Sequence, residues 1–191
     1  MRKRTEPDGL LTEDEFARLV DAYQRRLHVY LSGLTGQPEQ AFDLTQETFY
    51  DAWRAACAAK PPFTPGAAED DVRRWLYRVA TNNAISLLRH HRLIRWEPLD
   101  NHAEALPEEG MAFEDHLAES DILGAALARL APQDAACLLL RVVHGFSARE
   151  AAQILNTTPD NVNTRLARAK QRLRAAYEQR LPSQGEASTF P

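Results

Sequence analysis

The chain has 191 residues, 44% hydrophobic and 26% charged, with a formal net charge of −4. That length holds one medium domain or two small ones, and the composition is that of an ordinary soluble protein. No run approaches the ~20 apolar residues of a membrane span, and the charged start MRKRTEPDG leads into no apolar signal core, so the expectation is a cytoplasmic protein without membrane insertion.

The first element opens at Thr12, where Glu15 three residues on makes a capping box. Phe16, Leu19, Val20, Tyr23, Leu27, Tyr30, Leu31 and Leu34 then recur as one helical face, and Gly36 ends it. Pro38 suits the first turn of a second helix, which is expected to run out near Lys60. Its stretch DLTQETFYDAWRA places Phe42, Thr45, Phe49, Ala52 and Trp53 on one stripe, expected to face inward. Asp43, Gln46, Glu47, Tyr50 and Arg54 fall opposite, and their mixture of acids, an amide and an aromatic suggests a docking surface. The run PPFTPG breaks the chain. A third helix is expected over residues 71–92, with Val72, Leu76, Val79, Ala80, Ile85, Leu87 and Leu88 inward, completing a three-helix unit.

Residues 96–114 carry prolines, a glycine and many acids without a sustained period, and read as a linker. Helical pattern returns with Leu117, Ile122, Leu123, Leu127 and Leu130. Pro132 opens the next helix, whose Ala136, Leu139, Leu140 and Val143 are expected inward, and Gly145 closes it. Ser147 and Glu150 form a second capping box at the head of a helix reaching Leu155. After NTTPD a last helix runs to about Gln179, with Thr158 as its cap and Pro159 in its first turn. No segment shows the alternation of a strand. The expected fold is all-α: two small helical domains, an N-terminal helical bundle and a C-terminal helix-turn-helix, joined by an acidic linker.

The net charge hides a segregation. Residues 72–95 carry six arginines and no acid, residues 165–174 carry five cations and no acid, and between them residues 96–121 carry nine acids and no Lys or Arg. In the last segment, Ala151, Ala152 and Leu155 face a partner helix, and Val162 and Leu166 return the following helix to the same core. Asn161, Asn163, Thr164, Arg165 and Arg168 are left on the outer side. Amides and hydroxyls read base edges, and arginines bind guanine or phosphate. In the third helix Asn82, Ser86 and Arg89 share a face within a run that interleaves aromatics and arginines, a mixture that holds single-stranded nucleic acid. A helical hairpin with a solvated basic face is the plain alternative for both.

No cofactor, metal or catalytic constellation emerges. Cys57 and Cys137 lack CxxC spacing and fit as small packing residues, and the adjacent His90 and His91 diverge around a helix. There is no Gly-rich phosphate loop, GxSxG elbow or HExxH, so the chain is not expected to be an enzyme.

The order DLTQETFYDAW, RRWLYRVATNNAISLLRHHR, acidic linker, then LARLAPQDAACLLLRVVHGFSAREAAQILNTTPDNVNTRLARAKQRLR resembles the extracytoplasmic-function sigma factors, the minimal two-domain branch of the bacterial sigma-70 family, over residues 16–177. The resemblance implies an alternative sigma factor that binds core RNA polymerase and directs promoter-specific transcription initiation. Its partners would be the β′ clamp helices and β subunit of core polymerase, promoter DNA and an anti-sigma factor. Residues 10–95 would form region 2, residues 96–114 the linker, residues 115–180 region 4, and residues 181–191 a tail. Asp43, Gln46, Glu47 and Tyr50 match polymerase-docking positions, supported from within by Phe49 and Trp53. Asn82, Ser86, Arg89 and Arg92 fall on the minus-10 face, with Ser86 where the family usually has aspartate. Residues 60–71 match the segment that captures a flipped minus-10 base. Asn161, Asn163, Thr164, Arg165 and Arg168 fall on the minus-35 helix, with Asn163 in place of a common lysine. Asn156 stands where the turn often has glycine and tolerates the left-handed backbone. The competing reading is an autonomous helix-turn-helix regulator acting without core polymerase; another is an interaction protein that only sequesters a partner.

Overall fold

The computed structural model describes residues 12–57, 69–94 and 129–178, together with Gly124, Ala126 and Leu127. The first helix, α1 (Glu13–Thr35), begins at the expected capping box: Glu15 N donates to Thr12 Oγ1 at 3.2 Å, and Thr12 N donates to the Glu15 carboxylate at 2.8 Å. The Thr12 N–H, together with the Thr12 hydroxyl that donates to the same carboxylate at 3.0 Å, holds the Glu15 carboxyl below its ordinary pKa. Gly36 ends the helix at φ 71°, the left-handed backbone that glycine adopts without a steric penalty. Pro38 opens α2 (Pro38–Ala56), and α3 spans Glu69–Ile94.

The three helices pack pairwise around Tyr23, Leu27, Tyr30, Leu31, Leu34, Leu44, Phe49, Leu76 and Tyr77. The stripe of α2 is rotated by one residue from expectation. Ala41, Leu44, Thr45, Thr48, Phe49, Ala52 and Ala56 are buried, Trp53 is half-buried against Phe16, and Phe42 is 56% exposed. The buried threonines fit because each hydroxyl donates to the carbonyl four residues back: Thr45 to Ala41 at 2.6 Å and Thr48 to Leu44 at 2.7 Å. In α3 the inward face is Leu76, Tyr77, Ala80, Thr81 and Ala84, while Val79 and Ile85 are half-buried. Thr81 Oγ1 donates to the Tyr77 carbonyl at 2.6 Å, which leaves it to accept from the wholly buried Tyr30 hydroxyl at 2.7 Å.

The second lobe contains α4 (Pro132–Leu138), a wider π-helical turn over Leu139–Val143, α5 (Ala148–Ile154) and α6 (Pro159–Glu178). The π turn, closed by His144 N to Leu139 O at 3.0 Å, inserts a residue into the helical phase. It places Val142 and Val143 outside, 57% and 54% exposed, where an unbroken α period would turn Val143 inward. Gly145 turns the chain at φ 69°, and Ser147 with Glu150 forms the second capping box. Asn156 takes the left-handed backbone at φ 49°, and Asn161 N donates to Thr158 Oγ1 at 3.2 Å at the head of α6. Ala151, Ala152, Ile154, Val162 and Ala169 close the helix-turn-helix core. Cys137 is fully buried, as expected of a packing residue; Cys57 is exposed instead, and neither is in a disulfide. Among the described residues there is no strand and no group of metal-ligating side chains, and no helix is long and apolar enough to cross a membrane. The linker, residues 96–114, the tail, residues 181–191, and most of residues 60–71 lie outside the described residues.

The lobes share one hydrophobic core. Tyr77 packs on Tyr30, His144 and Phe146 with ring centroids 5.2, 5.1 and 4.9 Å apart, and its hydroxyl hydrogen-bonds His144 Nδ1 at 2.9 Å. Arg73 donates to the His144 carbonyl and lies 4.0 Å from the Phe146 ring centroid. Arg78 donates from Nε and Nη2 to the Gln153 carbonyl at 3.1 and 2.6 Å. A side chain at Gly33 of α1 would begin 3.1 Å from a Leu139 methyl, so the Leu139 side chain packs directly on the glycine.

Candidate functional site

Three surfaces carry the residues singled out by the sequence. On α2, Asp43, Gln46, Glu47 and Tyr50 are all exposed. Asp43, Glu47, Tyr50 and Arg54 recur at spacings of four, three and four, one stripe of the helix. Arg54 lies 5.7 Å from the Tyr50 ring centroid, and Asp51 accepts from Asn83 of α3 at 3.2 Å, which fixes α2 against α3. Beside this stripe Gln46 lines a cleft of about 570 Å³ between α1 and α2, with Phe42, Val20, Arg25, His28 and Phe49. The face therefore combines exposed aromatics with a charged border, the mixture found at protein interfaces. Phe42 belongs to that surface and was missed by the inward stripe read from the sequence.

On α3, Asn82, Ser86 and Arg89 are exposed and line one cavity of about 420 Å³. Its opposite wall belongs to the second lobe: Gln133, Leu155, Asn156, Thr157 and Arg165. The sequence grouped the three α3 residues correctly as a face, but the facing wall lies in another lobe and has no local signal. The side chain of Arg92 lies outside the described residues.

On α6 the five residues separate. Asn163, Thr164 and Arg168 are exposed together, while Val162 and Ala169 hold the helix to the core. Asn161 is half-buried, its amide donating to Thr157 Oγ1 at 2.7 Å. Arg165 is also half-buried and pairs with Asp134 of α4 at 3.1 Å. Thr164 donates to the Asp160 carbonyl at 2.9 Å, leaving its oxygen lone pairs toward solvent. An exposed amide, hydroxyl and guanidinium on a capped second helix of a helix-turn-helix can meet base edges and phosphate in a major groove.

An all-α bundle followed by a helix-turn-helix lobe, each with an exposed polar face, is a two-lobed helical architecture that carries a docking face and a helix-turn-helix side by side. The comparisons agree in both halves. The family description "Sigma-70 region 2" matches residues 19–94, and "Sigma-70, region 4" matches residues 120–173. The chain belongs to the sigma-70 family, in its extracytoplasmic-function branch. Among curated relatives, it is 31% identical over 159 residues to the ECF RNA polymerase sigma factor SigE of Mycolicibacterium smegmatis, an alignment covering 82% of this chain and 59% of that protein. It is 28% identical over 186 residues to the ECF RNA polymerase sigma factor SigG of Mycobacterium tuberculosis, covering 83% and 48%. The chain thus spans about half the length of these two relatives. The fold matches the sigma factor RpoE from Bartonella quintana, solved with the anti-sigma factor NepR, at a TM-score of 0.65 and 21% identity over 86% of this chain and 98% of that one.

Proposed function

We propose that the chain is an alternative sigma factor of the extracytoplasmic-function type, a non-catalytic subunit that binds core RNA polymerase and directs initiation at specific promoters. The observation that carries this is the consecutive match to regions 2 and 4, with an exposed polar and aromatic face on α2 in the first and an exposed Asn163, Thr164 and Arg168 on α6 in the second. The α2 face, Asp43, Gln46, Glu47 and Tyr50, would dock on the β′ clamp helices. Asn82, Ser86 and Arg89 would meet the minus-10 strand, and α6 the minus-35 element. Residues 10–95 and 115–180 would act as regions 2 and 4. Promoter DNA, core polymerase and an anti-sigma factor are the partners, in the cytoplasm.

The packing of the lobes bears on mechanism. Asn82, Ser86 and Arg89 are exposed but line a cavity whose opposite wall belongs to the second lobe, so parting of the lobes would widen the path of a DNA strand to them. Docking on polymerase would supply the energy that the shared core and the Arg78–Gln153 contact otherwise hold. The test is transcription in vitro from a fragmented bacterial genome, with core polymerase alone and with the chain added. Discrete new start sites sharing two upstream elements support the proposal. Unchanged start sites, with the chain binding specific duplexes by itself, favour the autonomous regulator.

A further inference from the structure

Asp134 stands in the first turn of α4 and is 3% exposed. Its Oδ1 accepts from Arg165 Nη1 at 3.1 Å, and its Oδ2 lies 3.5 Å from Arg172 Nη1. The two arginines are seven residues apart on α6, about two turns, so one carboxylate meets both. The pairs are not equivalent. The Arg165 side chain is 26% exposed against a buried acid, whereas Arg172 is 57% exposed and its attraction is screened by water. Asn163, Thr164 and Arg168 are exposed.

We infer that Asp134 is a positioning residue that withholds Arg165 from DNA phosphates, leaving Asn163, Thr164 and Arg168 to meet the upstream element. The inference rests on α6 being the DNA-reading helix. A cation on phosphate adds affinity for every sequence and none for a particular one. Each cation withheld from phosphate lowers affinity on cognate and non-specific duplexes alike and leaves their ratio unchanged, so the effect is on strength of binding and its salt dependence. A phosphate competing for Arg165 would leave the buried Asp134 carboxylate with only the more exposed, water-screened Arg172, an expensive outcome. Nothing comparable restrains a side chain on the outer face. The acid-free run from Arg165 to Arg174 is therefore less cationic toward DNA than its sequence reads.

The test uses holoenzyme assembled from core polymerase and the full chain, with salt titrations on two duplexes. One carries the upstream element that the wild-type holoenzyme selects from a randomised library, the other a scrambled version. Asp134→Asn should bind both duplexes more tightly by about the same factor and steepen the logarithmic salt slope by about one. Arg165→Gln alone should leave the slope unchanged, and adding it to Asp134→Asn should restore the wild-type slope. A purely structural acid would give weaker binding on both duplexes and no steeper slope, which overturns the proposal. A slope lowered by about one in Arg165→Gln overturns it too, since that arginine would already touch phosphate. If Asp134→Asn fails to fold by circular dichroism, the Arg165→Gln slope decides alone. Unaltered base preference in Asn163→Ala would instead sink the reading of α6 itself.

Discussion

Acidification should loosen the seam between the lobes, and His144 sets the amount. Its Nδ1 shares a 2.9 Å hydrogen bond with the Tyr77 hydroxyl, and its buried Nε2 has no partner among the described residues. Tyr30 and Arg26 face it from α1, and Arg73 and Tyr77 from α3. Burial, then the charges of Arg73 and Arg26, push its imidazole pKa from 6.5 down to about 4. The open or unfolded chain takes up the proton first, so this contribution to stability is complete above 6.5 and is lost as pH falls from there through about 4. The gap corresponds to about 3 kcal/mol at most. The residue is only half-buried, and screening by solvent brings this to about 1 to 2 kcal/mol, roughly a tenfold change in the closed population. The assay compares wild type with His144→Asn, which does not titrate, by thermal unfolding and by the radius of gyration from X-ray scattering between about pH 7 and pH 4.5. Carboxylates titrate in both proteins, so the difference between them is the readout. Wild type should lose more stability and expand more. Parallel curves for the two proteins would refute this account of the seam.

Thr81→Val should leave the Tyr30 hydroxyl buried without its partner and cost about 1 to 3 kcal/mol in denaturant unfolding, and an unshifted midpoint would contradict that hydrogen bond. In holoenzyme, Asn163→Ala should cost about 1 to 3 kcal/mol on the selected upstream element and change preference at one position. Arg168→Ala should weaken all duplexes alike and lower the salt slope by about one; equal losses on every sequence from both variants would reduce α6 to a charge. Replacing Asn82 and Arg89 together should leave core binding intact and reduce opening of a duplex promoter, with a smaller loss on a pre-melted bubble. Unchanged opening would return that face to a solvated surface.

The helix boundaries that depend on neighbouring residues were legible in the sequence. Thr12 with Glu15, Ser147 with Glu150, Gly36, Gly145 and the Thr158 cap all act within a few residues, and each stands where it was read. Phases were less secure. The apolar spacing puts Phe42 in the core, yet the small Ala41 takes the close contact and the phenylalanine lines a cleft. Val143 was misplaced because a 3.6-residue period was carried through a wider turn. What depends on distant partners was not legible: the Tyr77–His144 contact joins residues 67 apart, and the Arg165–Asp134 pair residues 31 apart. The outer residues of α6 were therefore identified as a group, but not the division between the exposed three and the half-buried Asn161 and Arg165.

Binding of the purified chain to core RNA polymerase tests the central claim most directly, measured by sedimentation of the mixture with wild type and with Glu47→Lys. Glu47 is exposed on α2, so reversing its charge should leave helix content and melting temperature nearly unchanged. The account predicts that the wild-type chain co-sediments with core polymerase and that Glu47→Lys releases it while still folded. A wild-type chain that sediments apart from core polymerase, yet binds specific duplex DNA unaided, would contradict it.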